Sequence, residues 1–438
     1  MRNENLIILC LALALFYGVA FLVGIPTLPY QLVIDLFVLV FLVLALDSRE
    51  GGIKSPGIWI IIPFTFIVFL STIVNGSDYF TAYRMFRNIL IPYLFFLAVV
   101  NFPLSEDSFK KINAFLFIML FGQIVASVLK YLAWGVREGG IIGTFGVNQG
   151  ALSTIFPILA IVFLLTFYLI YEKKNIYLFF MIGFVLMAWG GGKRAFIFIL
   201  PFFILFTYIL YKKFEHHENI ITIKNTVRAA LIIIVLLPVL YIMIIYTPTL
   251  NPERQYGGSF DIRHVIEYAR SYQTGAHFHF EPDRYGDRTV MSGRMATMKH
   301  AYSLVNTNTQ KLLFGFGPSS IYATPRGDEN LVRFGVVEFQ TGFARYIMLV
   351  GIPGALLVLL LYGRITLLCT QQYYTYNNYW RAIILGLFIS MFVLLYDYFL
   401  YSRAFLDGLI PSMLFFYLAG AVINKRNNNN ENEDESDL

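Results

Sequence analysis

The sequence predicts an all-α polytopic membrane protein of about twelve transmembrane helices, with one large, partly helical outer loop between spans 9 and 10. Three observations predict it. Hydrophobic residues make up 58% of the 438-residue chain and charged residues only 14%, against about 25% charged in soluble domains. Mean hydropathy is +0.65, so the three or so soluble domains that length alone suggests give way to a bilayer-embedded chain. Finally, apolar runs recur along the whole chain with a single long polar interruption, from Thr247 to about Gly351.

Taken in order, runs approaching the length of about 17 to 25 residues needed to cross a bilayer fall near Leu6–Val23, Gln31–Leu46, Ile58–Val74, Arg84–Val100, Ile112–Ala133 and Gly150–Tyr171. Six more follow near Ile176–Gly190, Ala195–Tyr211, Val227–Tyr246, Gly351–Leu368, Arg381–Leu395 and Phe405–Ile423. No small-residue cleavage site follows the first run, which is therefore read as a retained span and not a signal peptide. Residues 1–246 thus carry spans 1–9, 247–350 the loop, 351–423 spans 10–12, and 424–438 a polar, acidic tail expected to be disordered. Cys10 and Cys369 both sit in or beside apolar runs, so neither a disulfide framework nor a metal site follows from them.

Short loops rich in Lys and Arg mark the cytoplasmic side. With the N-terminus inside, the inner turns receive Lys110, Lys111, Lys173, Lys174, Lys212, Lys213, Lys425 and Arg426 among others. The short outer turns receive chiefly Arg84, Arg87, Arg137, Lys193, Arg194 and Arg403. Both termini are then cytoplasmic and residues 247–350 lie outside, which argues against an ATP-driven reaction at the loop. Four of the six histidines lie in that loop.

The outer cations run against the topological rule and so need another reason. Gly190-Gly191-Gly192-Lys193-Arg194 forms a tight turn in which glycines allow close backbone approach and a guanidinium can grip a phosphate bidentately. The plain alternative is a turn whose cations snorkel to lipid headgroups. It is not a nucleotide-binding loop, because the GxxxxGK[ST] spacing fails and no strand precedes it. Within the long loop, residues 261–272 read as an amphipathic helix with Ile262, Val265, Ile266, Ala269 and Tyr272 on its apolar stripe. A second helix, capped by Ser292 and running from Gly293 to Val305, is expected to bury Met295, Met298, Tyr302 and Val305.

Three stretches resemble the O-antigen polymerase and O-antigen ligase superfamily of membrane glycosyltransferases. Gly143-Thr144-Phe145-Gly146-Val147-Asn148-Gln149 is similar to the family's Gly…Asn outer turn before the sixth span. Gly192-Lys193-Arg194-Ala195-Phe196 looks like the Ser-Arg-small turn that opens the eighth. Ser292-Gly293-Arg294 through Phe314-Gly315-Phe316-Gly317-Pro318 resembles the Arg-containing helix and Gly-x-Gly turn of the large loop. The resemblance implies a bacterial inner-membrane enzyme with a periplasmic loop, acting on undecaprenyl-pyrophosphate-linked glycan without metal or cofactor. A chain-length regulator and a flippase are implied as partners; nucleic acid is not. Ligases of the family carry a His-Asn pair one helix before the next span, and Gln340-Thr341 stand there in this chain. That favours a polymerase over a ligase. A flippase or sugar exporter, the rival of another class, would more often show half-chain symmetry, and none is visible.

Transfer from a diphosphate carrier develops negative charge on the leaving group, so fixed cations must stand where other enzymes use a metal. Arg194 is the first candidate, with Arg294 as its catalytic partner and Lys193 and Arg288 in support. Arg84 and Arg87, one helical turn apart, can face one groove and track donor phosphates, or simply anchor at the interface. Asn148 and Arg345 complete the expected substrate-binding set. Glu338 is the candidate general base, with His264, His277, His279 and His300 as rivals. Asp397 and Arg403 flank an aromatic turn and are expected to pair with each other.

Overall fold

The computed structural model describes residues 4–48, 52–134, 143–145, 151–191, 194–216, 237–274, 293–322, 334, 336 and 339–436, with backbone only for 21–22, 272 and 427–436. Helices α1 (Glu4–Leu15), α2 (Thr27–Asp47), α3 (Ile58–Val74), α4 (Tyr79–Asn101) and α5 (Glu106–Trp134) are followed by α6 (Leu152–Thr166), α7 (Asn175–Gly190) and α8 (Arg194–His216). The described part of the loop holds α9 (Ile262–Thr274), α10 (Arg294–Val305) and α11 (Thr309–Phe314). Then come α12 (Gly342–Thr370), α13 (Asn378–Tyr396), the short α14 (Ala404–Asp407) and α15 (Leu409–Ser436). A π turn extends α6 through Tyr171 and another extends α13 through Tyr401. The described residues form no strand.

Among the described residues seven helices, α2, α4, α5, α6, α8, α12 and α13, are long and apolar enough to cross a membrane, and α1, α3 and α7 are shorter apolar helices. Their starts follow local chemistry. The Asp78 carboxylate accepts the Thr81 N–H at 2.7 Å to open α4, and the side chains of Thr341 and Asn377 accept from Ala344 and Trp380 to open α12 and α13, each satisfying an amide the first turn leaves orphaned. The tail after Arg426 continues α15 to Ser436 where irregular chain was expected; it contains no Gly or Pro to stop the helix.

The helices form one bundle around a contiguous apolar core, with α4 packed between α2 and α15, and α6 against α7, α8 and α13. One end of the bundle is tied by polar contacts. Glu106 accepts from Lys425 and sits 2.9 Å from Lys110, Arg381 meets Glu215 at 3.5 Å, and the Asn424 amide donates to the Phe102 carbonyl at 2.6 Å. The opposite end gathers the loop and the 143–145, 191 and 397–408 turns.

Helix α12 starts nine residues before the expected span at Gly351 and is broken there, at φ 74°, ψ 178°. A break frees carbonyls that an apolar surrounding cannot satisfy, and here they find partners. The Phe316 N–H donates to Met348 O at 2.6 Å, and the Ser71 hydroxyl lies 2.9 Å from Leu349 O and 2.6 Å from Phe314 O. A Cβ at Gly351 would stand 2.4 Å from the Leu313 carbonyl, and one at Gly315 2.6 Å from Met348 O. The Gly-x-Gly turn is therefore a docking joint between the loop and α12.

Each loop helix buries only part of its expected face: Val265 on α9 and Val305 on α10, with Met298 packed against the core. On α9, Val265 and Ser271 are buried and Tyr268 half-buried, while Ile262, Ile266 and Ala269 are exposed. Helix α10 begins at Arg294 after Gly293, at φ 101°, and buries Arg294, Thr297, Ala301 and Val305; Tyr302 points outward. Helix α9 packs on α10 and on the Pro248–Leu250 turn, and α10 packs chiefly on α12.

Candidate functional site at the loop end of the bundle

The two arginines expected to act together are linked by a chain of contacts. Arg194, the first residue of α8, places its guanidinium over the Tyr268 ring of α9, 5.0 Å from the centroid. Helix α9 packs on α10, whose first residue, Arg294, stands over the Tyr401 ring at 4.5 Å. The Tyr401 hydroxyl is hydrogen-bonded to that of Thr154 at 2.7 Å. Beside Thr154, the Ser153 Cβ would be 3.6 Å from a Cβ on Gly191, three residues before Arg194. Both cations thus rest on aromatic faces, where the ring quadrupole stabilises a guanidinium.

Below Tyr401, the aromatic turn is held by Asp397, which is 1% exposed. Its carboxylate accepts the Phe405 N–H at 2.8 Å and the Ser402 hydroxyl, and it interacts electrostatically with Arg294. The expected Asp397–Arg403 pairing is replaced by another: Arg403 Nε lies 2.8 Å from Asp407, and Arg345 Nη1 lies 3.2 Å from the same carboxylate. The i, i+4 spacing on α14's turn brings Asp407 to Arg403, and Arg345, one turn into α12, reaches it from the neighbouring helix. Arg345 is therefore buried in an ion pair.

An apolar cleft of about 620 Å³ leads away from this cluster. Phe156 and Phe405 line it at the loop end, two residues from Thr154 and directly on the amide that caps Asp397. Lys110, Asn113, Lys174 and Tyr379 line it at the opposite end. It follows α5, α6 and α7 along the depth of the bundle, and Phe117, Phe163 and Phe180 form its walls.

The other expected residues divide sharply. Arg84 is exposed, but Arg87 is 3% exposed and bonds Asp35 at 2.6 Å and Gln31 O at 3.1 Å. The two do not face one groove, because Asp35 of α2 draws Arg87 inward. His300 is bound to Phe334 O at 2.7 Å, whereas His264 is half-buried, with Nε2 lacking a hydrogen-bond partner among the described residues. Lys193, Arg288, Glu338, Asn148, Ser292, His277 and His279 lie outside the described residues. Of the Asn148 turn, 143–145 are described. The Thr144 N–H and hydroxyl bond Gln123 Oε1 at 2.7 and 2.9 Å, and the Gly143 N–H donates to Ser127 at 2.7 Å.

Sequence reasoning passed over Tyr268, Tyr401 and Thr154, whose roles arise only from packing. It also passed over Lys130, which is 8% exposed and whose ammonium has no hydrogen-bond partner among the described residues. A signal for that residue existed: Gln123, Ser127 and Lys130 make a polar stripe at helical spacing inside an apolar run. Compared with known proteins, the chain matches no family model and no curated protein.

Proposed function

We propose that the protein is a membrane glycosyltransferase that polymerises undecaprenyl-pyrophosphate-linked oligosaccharide repeat units into a surface polysaccharide, O antigen or capsule. One observation carries the reading: a cleft along the bundle's depth reaches Phe156 and Phe405, near Thr154, whose hydroxyl meets that of the Tyr401 under Arg294. An isoprenoid chain has the shape and apolarity of that cleft, and its diphosphate would emerge where the two guanidinium groups sit. Twelve spans of a bacterial inner membrane put this end, and residues 247–350, on the periplasmic side.

In the proposed reaction, the acceptor sugar hydroxyl attacks the anomeric carbon of the donor glycan and the bond to the carrier diphosphate breaks. Arg194 and Arg294 stabilise the charge on the departing diphosphate, with Lys193 and Arg288 in support. Glu338 takes the acceptor proton. Asp397 acts through its neighbours, fixing the turn that carries Tyr401. Arg84 alone of its pair is left to meet donor phosphates.

The test is the glycan made by cells carrying Arg194→Lys or Arg294→Lys. Each variant should reach the membrane at normal levels and leave single repeat units in place of a ladder, because a lysine cannot reproduce the bidentate grip. A full-length ladder from either variant refutes that arginine's role. Finished polymer stranded on the carrier lipid in a deletion strain would make the protein a ligase.

A further inference from the structure

We propose that a second cavity, beside the Arg194 turn, is the subsite that holds sugar rings of the acceptor glycan; this rests on the polymerase reading above. The cavity, of about 400 Å³, lies between the loop ends of α5 and α7 and the start of the loop. Four aromatic residues line it: Tyr131 of α5, Trp189 of α7, and Tyr246 and Tyr256. Its wall includes Gly190, so it adjoins the turn that leads to Arg194.

Aromatic side chains at a bilayer surface can serve as plain anchors, but two features set these apart. They line one concavity from three separate segments, which plain anchoring does not require. The two loop tyrosines are also held in place by a built turn. Asn251, fully buried, donates its amide to Gln255 O at 2.8 Å and to Ile245 O at 3.1 Å, and the Gly257 N–H bonds Ile245 O at 3.1 Å. That turn folds Tyr256 back towards Tyr246. A pyranose ring stacks its C–H face on such rings and bonds its hydroxyls to their O–H and N–H groups.

The test uses full-length protein in nanodiscs of phosphatidylethanolamine and phosphatidylglycerol. The probe is the oligosaccharide released by mild acid from the cells' own carrier lipid, titrated calorimetrically. Wild type should bind it, the Trp189→Ala/Tyr256→Ala double variant should bind about tenfold more weakly or worse, and Trp189→Phe should recover most of the affinity. Equal affinity in wild type and double variant, or no binding to wild type, overturns the subsite. So does quenching of Trp189 fluorescence by brominated lipid that the oligosaccharide fails to relieve, which would make the occupant a lipid tail. Calorimetry on the purified protein reports on this cavity alone, whereas a deletion strain that still makes a full-length ladder sinks the polymerase reading without touching the sugar contact.

Discussion

Removing the Arg87 charge separates a structural cation from a substrate-binding one. The Arg87–Asp35 pair joins α4 to α2 with side chains only 4% and 6% exposed. The Tyr83 hydroxyl donates to the same carboxylate oxygen at 2.7 Å. Arg87→Met alone strands a buried carboxylate, which costs about 3–5 kcal/mol. Asp35→Leu with Arg87→Met removes both charges, and such apolar replacement of a buried pair is neutral or stabilising by about 1–4 kcal/mol. Asp35 Oδ1 has no hydrogen-bond partner among the described residues, so the native pair carries a desolvation cost that the double variant sheds. Against that, Tyr83 loses its acceptor, worth about 1 kcal/mol. The double variant should therefore melt within about 2 kcal/mol of wild type in detergent, with Arg87→Met well below both. Polysaccharide from the same cells should follow stability, lost or reduced in the single variant and restored in the double. A double variant that regains its melting temperature but makes no polymer would refute this and return Arg87 to the substrate.

Two further substitutions probe the loop end. Gly351→Ala should lower the melting temperature steeply, adding about 1–3 kcal/mol of backbone strain to about 1–3 kcal/mol of overpacking against Leu313. Gly363→Ala in the same helix, where the new methyl meets only Met391 Cε at 3.7 Å, should be tolerated; equal losses from both would disprove the joint. Asp407→Asn leaves the buried Arg345 without its carboxylate and should destabilise by about 1–3 kcal/mol. Adding Arg345→Met should recover part of that loss in the same melt.

The helical membrane class was legible because hydropathy needs no tertiary context: each expected apolar run carries described helix over at least part of its length. The sequence singled out Arg194, but not the Tyr268 ring on which its guanidinium rests. What misled was the assumption that a loop helix buries its most apolar stripe. That rule supposes water on one side and a greasy core on the other. Helix α10 instead packs on α12 and the 397–401 turn, and α9 on α10, so Arg294 and Thr297 turn inward while Ile262 and Ile266 stay out. The early start of α12 was hidden by Arg345, a charge that reads as loop until Asp407, sixty-two residues on in the sequence, is seen to neutralise it. Such pairings have no local signature.

The two site arginines belong to different mechanical parts, and that has a consequence for how the site is held. Arg194 heads a helix of the bundle, so its position is fixed by the bundle itself. Arg294 heads a loop helix, and its position depends on the joints that tie the loop down. One joint is the Tyr268–Arg194 contact; the other is the seat of Gly315 and Phe316 on the broken α12, closed by Ser71 of α3. The break at Gly351 exposes the Met348 and Leu349 carbonyls that the loop then occupies. A straight α12 would satisfy the Met348 carbonyl through the Ile352 N–H, but not that of Leu349, whose partner would be Pro353, and it would leave Phe316 without its acceptor. The local weakness of one helix is therefore what anchors the polar loop to an apolar bundle, and it sets the register in which Arg294 meets Tyr401.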